Sequence, residues 1–351
     1  METFATIMMA LGVLALPVAI IMLIISVIKK KPKKKALIIL VVGIILFIAG
    51  GIAMPSTPAD DDVDSAVTQT NPAAAAIKNG VLQYPSSDNN FKYNIYDTYV
   101  EITEYIGSQS ASSLTVPAKL ENLPVYVIKH DTFDKCEVPT IIFEDGIYDI
   151  NSGFSGSVKK IVLPSTLDFV GYGTFKNCYA LESVVIPEGI DSIQANAFEC
   201  CSSLKNITIP STVKAINTET FAFCSALENV TIGSGVTQIG ERAFLSCKNL
   251  KKLVIPDNVT IIGADAFQGT GLTEITIPAS VTKVGSGLFN ACEDLMKVTA
   301  LNPDMEILNA EGYTVSLLFT STSPNLKVYG KAGSTIAQAA AKENKYFELI
   351  S

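Results

Sequence analysis

At residues 181–204 the chain reads LESVVIPEGIDSIQANAFECCSSL, and five other stretches between residues 161 and 298 repeat this pattern. One phenylalanine per repeat marks the period, and successive phenylalanines are 23 residues apart four times and 22 apart once. They are Phe175, Phe198, Phe221, Phe244, Phe267 and Phe289. A fixed period of this length, with apolar residues in constant phase, is typical of a solenoid whose repeats bury their apolar faces against one another.

The first half of each repeat has the alternation of a short strand. In residues 181–204, Val184 and Ile186 alternate with Ser183 and Val185, which is a period of two. Pro187 follows and ends the ladder, because proline has no amide hydrogen to donate. Four other repeats have proline in this phase and one has glycine instead: Pro164, Pro210, Pro256, Pro278 and Gly233.

The second half of each repeat returns the chain along the opposite side of the turn. Apolar residues recur three and six residues after the proline, as at Ile190 and Ile193. Glycine follows in four repeats, where we expect a positive φ or a close backbone approach: Gly171, Gly240, Gly263 and Gly285. All positions with a repeated identity are apolar, Gly, Pro or Cys, so repeated identity indicates packing. The predicted fold class is a β-rich solenoid of short stacked parallel strands.

The full pattern, L-x-x-I-x-I-P-x-x-V-x-x-I-G-x-x-A-F-x-x-C-x-x-L, resembles the BspA-type leucine-rich repeat, also called the Treponema-type repeat, over about residues 90–351. The tail KVYGKAGSTIAQAAAKENKYFELI, residues 327–350, is similar to the carboxy-terminal cap of that family. In it Ser334 is a natural N-cap for a short helix, and residues 346–350 suit a last strand. Thr270 departs from the pattern by replacing a cysteine. The resemblance implies a bacterial surface or secreted protein with a role in adhesion.

The sequence outside these repeats suggests two caps. Residues 91–106 alternate loosely in β-branched and aromatic side chains, which predicts a hairpin within an N-terminal β cap at residues 78–110. The leucine-rich repeats are assigned to residues 111–300, in roughly eight turns that include two irregular ones ending near Phe133 and Phe154. Residues 301–351 are assigned to the C-terminal cap.

The amino-terminal part predicts a transmembrane helical hairpin at residues 1–54. Residues 4–28 and 36–54 are free of charge, and at about 1.5 Å per residue each can cross a lipid bilayer core of roughly 30 Å. The connecting lysine-rich loop at residues 29–35 is expected on the cytoplasmic side, which places both ends of the hairpin outside. An inverted hairpin and a soluble hydrophobic core are the alternatives. A cleaved signal peptide is disfavoured because the lysines follow the apolar run.

Residues 55–77 read PSTPADDDVDSAVTQTNPAAAAI and predict a flexible acidic stalk, rather than a calcium loop, since the glycine and terminal glutamate of an EF-hand are missing. The expected location is therefore the cell membrane, crossed twice, with the repeat domain extracellular. After residue 35 the chain has 20 Lys and Arg against 33 Asp and Glu, a net charge of −13. That balance argues against a nucleic-acid partner, which requires clustered positive charge.

The residues most suggestive of chemistry fit structural roles better. Six of the seven cysteines lie three residues after a repeat phenylalanine, and such a column predicts buried thiols rather than a converging metal site. Disulfides between adjacent turns are the alternative, and Cys200 is the one out of phase. His130 is expected at the surface, and no nucleophile motif accompanies it. The sequence predicts no catalytic residue, no cofactor and no metal, and therefore not an enzyme.

Binding is expected on the outward strand positions, because stacked strands form one sheet with an extended surface. These candidates are Lys160, Ser183, Val185, Asn206, Thr208, Asn229, Thr231, Lys252, Val254, Glu274 and Thr276, with Val162 in the same phase. The face as a whole is polar, rich in Thr and Asn and without aromatic anchors, which favours weak or multivalent binding of an extracellular protein or glycan. A binding site on the loops is the alternative. A self-associating envelope protein is the second hypothesis, and an envelope hydrolase is the third.

Overall fold

The computed structural model describes residues 76–78, 81–85, 90–96, 98–151, 153–154, 156–308 and 317–350. The predicted transmembrane hairpin and the predicted stalk up to residue 75 lie outside them. Among the residues that are described, no helix has the length and apolar character to cross a membrane. The first strand begins at Ala76, so the last two residues of the predicted stalk belong to the sheet.

The N-terminal sheet begins as an antiparallel meander of four strands. These are β1 (Ala76–Lys78), β2 (Val81–Pro85), β3 (Phe91–Ile95) and β4 (Val100–Tyr105). The last two form the hairpin expected at residues 91–106. β4 then pairs in parallel with β7 (Leu123–Ile128), which pairs with β6 (Lys119–Leu120) and β9 (Asp149–Ile150). The meander thus covers the edge of the first turn.

One side of the solenoid is built from the strands that form the first half of each repeat, together with the strands that continue them at both ends. In chain order they are β5 (Leu114–Val116), β8 (Thr140–Phe143), β10 (Lys160–Val162), β12 (Ser183–Val185), β14 (Asn206–Ile209), β16 (Asn229–Ile232), β19 (Glu274–Ile277), β21 (Lys297–Ala300), β23 (Lys327–Gly330) and β24 (Tyr346–Leu349). Their pairs are parallel. We call the outward surface of these strands, with residues 251–255 between β16 and β19, the strand face.

The opposite side is a continuous seven-stranded parallel sheet. It contains β11 (Phe169–Val170), β13 (Ser192–Ile193), β15 (Ala215–Ile216), β17 (Gln238–Ile239), β18 (Ile261–Ile262), β20 (Lys283–Gly285) and β22 (Glu306–Leu308). The helix α1 (Thr335–Lys342) lies between β23 and β24 in the chain. Its N-cap is Ser334, whose side chain accepts the Ala337 amide as predicted, and β24 is the expected last strand.

A column of phenylalanine rings fills the space between the two sides. Successive centroids are 5.0–5.9 Å apart, and the rings are Phe133, Phe154, Phe175, Phe198, Phe221, Phe244, Phe267, Phe289 and Phe319. All are buried. The repeat geometry therefore continues past residue 300, into the region assigned to the cap. Thr322 lies three residues after Phe319, in the cysteine phase, and the buried Leu326 lies seven residues after it, one residue beyond the leucine phase.

Three of the four repeat glycines, Gly240, Gly263 and Gly285, allow close approach between turns, whereas a Cβ on Gly171 would meet only side chains of its own turn. A Cβ on Gly263 would lie 2.4 Å from the Glu241 amide nitrogen, and one on Gly285 would lie 2.1 Å from the Ala264 nitrogen. None of the four repeat glycines has a positive φ, so that alternative is wrong for them. The turns stack too tightly there for any side chain.

Candidate ligand-binding face

The structure places all eleven predicted binding residues on the strand face, and all are exposed. Register pairs them in two columns. Lys160 lies opposite Ser183, and Asn206 lies opposite Asn229, whose Nδ2 donates to the Asn206 Oδ1 at 2.7 Å. Thr208 lies opposite Thr231 in the second column. A row of short polar groups therefore runs across the turns.

The strand face is not one continuous sheet, which corrects the sequence expectation. Its strands form separate ladders, β5–β8–β10–β12, β14–β16 and β19–β21–β23–β24, and residues 251–255 join none of them. Gly233 stands at the end of β16, where other repeats have proline, and its amide donates to the Ile209 carbonyl at 2.9 Å. This bond extends the pairing of β14 and β16 by one rung.

A groove of about 400 Å³ opens in the strand face at this interruption. Four predicted residues line it: Lys252, Val254, Glu274 and Thr276. Leu253, Ile255 and Ile275 give it an apolar floor, while Lys297 and Leu301 extend one wall. Val254 is 81% exposed, which is the largest exposed fraction among the large apolar side chains of the described residues. The groove combines an exposed apolar contact with charges of both signs.

Sequence reasoning missed four residues that continue this surface. Register places Glu274 opposite Lys297, Lys297 opposite Lys327, and Lys327 opposite Tyr346. The Lys297 ammonium lies 5.3 Å above the Tyr329 ring, and the Lys327 ammonium lies 5.5 Å above the Tyr346 ring, as in cation–π pairs. The aromatic anchors thought to be missing are thus at the C-terminal end. The shared pattern Lys-Val-x-[Ala/Gly] at residues 297–300 and 327–330 was the available signal.

The cysteine column is chemically quiet. The six in-phase thiols are buried, as expected, and several donate to a phenylalanine carbonyl of the preceding turn, as Cys247 does to Phe221 at 3.1 Å. Burial raises the pKa of Cys178 to about 12 and also raises the pKa of Cys201 and Cys247. Protonated thiols of this kind are poor nucleophiles and poor metal ligands at neutral pH. Within the described residues, no three His, Cys, Asp or Glu side chains converge as a metal site.

Thr270 occupies the cysteine position in one repeat. Its hydroxyl donates to the Phe267 carbonyl at 2.9 Å and lies 3.3 Å from the Cys292 sulfur. Thr322 donates to the Phe319 carbonyl in the same way, at 2.8 Å. The acceptor differs between the two residue types: each threonine donates to the phenylalanine carbonyl of its own turn, whereas Cys247 donates to that of the preceding turn. In both cases the buried polar group has a hydrogen-bond partner.

His130 is largely exposed, as predicted. Its Nδ1 contacts the carboxylate of Asp131, which is also largely exposed. Burial raises the pKa of nearby Asp134, with Asp131 as the next cause. A surface histidine paired to its chain neighbour forms a local contact, and it provides none of the buried, oriented environment of a general base.

Fold and face together define a leucine-rich-repeat solenoid with an open polar surface. The pattern of the BspA type leucine rich repeat region matches in 6 copies over residues 98–194, 126–251, 168–297 and 215–320, which is more than half of the chain. The chain therefore belongs to the BspA-type leucine-rich repeat family.

Two solved structures are similar to this chain. A leucine-rich repeat protein from Bacteroides ovatus ATCC 8483 is 23% identical, with a TM-score of 0.51 over 74% of this chain and 75% of that chain. A leucine rich cell surface protein from Faecalibacterium prausnitzii A2-165 is 18% identical, with a TM-score of 0.47 over 76% and 94%. No curated protein sequence matches the chain. The first of these likenesses supports the solenoid fold.

Proposed function

We propose that this chain is a membrane-anchored bacterial cell-surface protein whose repeat domain lies outside the cell and binds a protein or glycan without catalysis. The anchor is the hairpin at residues 1–54, held in the lipid bilayer through residues 4–28 and 36–54. The observation that carries the binding role is the groove at Lys252, Val254, Glu274 and Thr276. The residues that repeat from turn to turn pack the dry interior. The variable residues of the strand face are therefore the ones available to bind a ligand.

The chemistry of the groove favours a polar ligand with some apolar surface. Val254 offers apolar contact, and Lys252, Lys297 and Glu274 offer charges that are open to solvent. Exposed ion pairs each contribute only about 0–1 kcal/mol. A single groove of this kind therefore supports modest affinity, and tight attachment requires several copies or several ligand sites.

Binding is tested with full-length protein displayed on cells. Cells carrying the wild type are offered matrix proteins, cell-wall polysaccharides and host cells, and the captured ligand is then titrated against variants. We expect Lys297→Glu, in the groove wall, to weaken capture about tenfold by reversing one charge in the site. Lys214→Glu makes the same charge change on an exposed residue away from the strand face and should stay within about twofold. Capture of nothing, or equal losses in both variants, contradicts the proposal.

The location has its own test. Cys200 is the one cysteine that is partly exposed among the seven. A membrane-impermeant maleimide added to intact cells should label the wild type and leave Cys200→Ser unlabelled. Labelling that requires prior permeabilisation places the repeat domain inside the cell and overturns the extracellular assignment.

A further inference from the structure

Four tyrosines form a continuous row on the N-terminal sheet. The ring centroids of Tyr96 and Tyr99 are 4.6 Å apart and stacked, those of Tyr99 and Tyr126 are 5.9 Å apart, and those of Tyr126 and Tyr148 are 6.0 Å apart. We call Tyr96, Tyr99, Tyr126 and Tyr148 the tyrosine row. It belongs to a different sheet from the strand face, so its role is independent of the function proposed above.

The pairing of the cap with the first turns creates this row. Tyr99 directly precedes β4, Tyr126 lies on β7, and Tyr148 directly precedes β9, while β4, β7 and β9 are neighbours in one sheet. The apolar residues beside them, Val125 and Ile128, are fully buried. Tyr126 itself keeps 38% of its surface exposed, so the row faces outward.

Packing of the repeats does not require these rings. The phenylalanine column runs through every described turn and is buried, whereas the tyrosine row stops after Tyr148. The Asp168 amide donates to the Tyr148 carbonyl, and the Asp191 amide donates to the Asp168 carbonyl, so these two residues occupy the equivalent position in the next two turns. Both are exposed and polar. The tyrosine row is therefore a local feature of the first turns, and stacking of the repeats does not account for it.

Acceptor groups and negative charge surround the row. Glu101 accepts from the Asn94 Nδ2 at 2.8 Å and from the Tyr96 hydroxyl at 3.3 Å, and both bonds go to the Oε2. Asp149 is half-buried, and its pKa is raised by burial and then by Asp168. Across the described residues, no ion pair includes Glu101, Asp149 or Asp168.

A buried amide oxygen also lies near the row. Asn94 is 8% exposed, and its Oδ1 has no hydrogen-bond partner within the part of the chain that the structure describes. Its Nδ2 meets the same Glu101 oxygen as the Tyr96 hydroxyl, so this orphan acceptor lies beside the first ring of the row. The Asn94 oxygen is too buried to be reached from outside, whereas the rings and the carboxylates of Glu101 and Asp149 are groups with which a cationic donor can pair.

We propose that the tyrosine row binds an arginine-bearing basic segment of a partner polypeptide, with guanidinium groups stacked on the rings and paired with Glu101 and Asp149. A guanidinium is planar, stacks on aromatic faces and pairs with carboxylates in a fork, which an ammonium cannot do as well. The chain has a single arginine, Arg242, and its own lysine-rich stretch at residues 29–35 has none. Arg242 is already ion-paired with Glu219 and Glu241, so we assign the occupant to a segment of another protein.

The test uses full-length protein and labelled octa-arginine, measured by fluorescence anisotropy. We expect Tyr126→Ala to raise the dissociation constant about fivefold and Glu101→Gln about threefold, since each removes one attraction to the cation. Octa-lysine should bind several times more weakly than octa-arginine. If Tyr126→Ala fails to fold, Tyr126→Leu keeps an apolar side chain and removes only the ring.

Two matched controls separate the row from general attraction to an acidic protein. Glu228→Gln makes the same change in net charge at an exposed acid elsewhere, and Tyr172→Ala removes a tyrosine that is 70% exposed and outside the row. Both should leave the affinity within about twofold. Equal losses in a control and its matched variant overturn the proposal, as does equal binding of octa-lysine. Binding of neutral soluble starch that is lost in Tyr126→Ala while octa-arginine binding is kept identifies a glycan site instead.

Discussion

Replacing the central ring of the phenylalanine column should destabilise the solenoid more than replacing its last ring. Phe221 is fully buried and stacks on Phe198 at 5.4 Å and on Phe244 at 5.5 Å. Phe319 is equally buried but stacks on one ring, Phe289, at 5.9 Å. A buried Phe→Ala change costs about 3–5 kcal/mol, and each ring pair contributes about 0.5–1.5 kcal/mol beyond burial. We expect about 5 kcal/mol for Phe221→Ala and about 1 kcal/mol less for Phe319→Ala.

Leucine variants isolate the ring contacts from the cavity. Phe221→Leu keeps most of the apolar volume and loses both ring pairs, so it should cost about 1–3 kcal/mol, and Phe319→Leu about half as much. The assay is urea unfolding followed by circular dichroism. Hydrogen exchange is needed alongside it because long repeat arrays can lose two-state behaviour. If Phe319→Ala costs as much as Phe221→Ala, or if Phe221→Leu is neutral, the rings do not stabilise the turns as a stack.

Three further predictions concern the thiols and the glycines. At pH 8 Ellman's reagent should find one fast thiol, Cys200, because the other six are buried; a second fast thiol in the absence of denaturant contradicts this. Burial raises the pKa of Cys178 from 9.0 to about 12, so the stability that its protonated form gives is complete below pH 9 and is lost as the pH rises to about 12. Urea midpoints across that range should fall less in Cys178→Ser, and an identical fall in both proteins refutes the burial. Gly263→Ala should lower the free energy of unfolding by about 1–3 kcal/mol, because the new Cβ is forced against Glu241. Gly189→Ala should change it by less than about 0.5 kcal/mol, because the atom nearest to its new Cβ is 3.6 Å away. Equal urea midpoints for the two variants count against the close approach.

The sequence predicted whatever repeats with a constant period. Phenylalanines every 22 or 23 residues specify a ring column, and the alternation before each proline specifies which strand residues face outward. The sequence pattern did not predict the continuation of the phenylalanine column to Phe319, because 30 residues separate Phe319 from Phe289. A longer connection hides a repeat from any fixed-period comparison, although Phe319, Thr322 and Leu326 preserve its chemistry.

The groove and the tyrosine row depend on information that a period does not contain. The groove lies where residues 251–255 join neither adjacent ladder. Whether they join a ladder depends on the hydrogen-bond distances between turns. The tyrosine row unites Tyr96, Tyr99, Tyr126 and Tyr148 at unequal spacings, through the register of β4 on β7. Register between a cap and its first turn is set by tertiary packing, so the sequence alone does not reveal it.

The central claim separates two sets of positions: repeated side chains hold the turns together, and variable outward side chains bind. The most direct measurement is a library of single substitutions across residues 161–298 in the full-length protein on cells, sorted both for display level and for capture of the ligand found above. We predict that changes in the phenylalanine, cysteine and glycine columns lower display, and that changes at Lys252, Val254, Glu274 and Thr276 lower capture at unchanged display. Substitutions in the buried columns that abolish capture at full display would contradict the account.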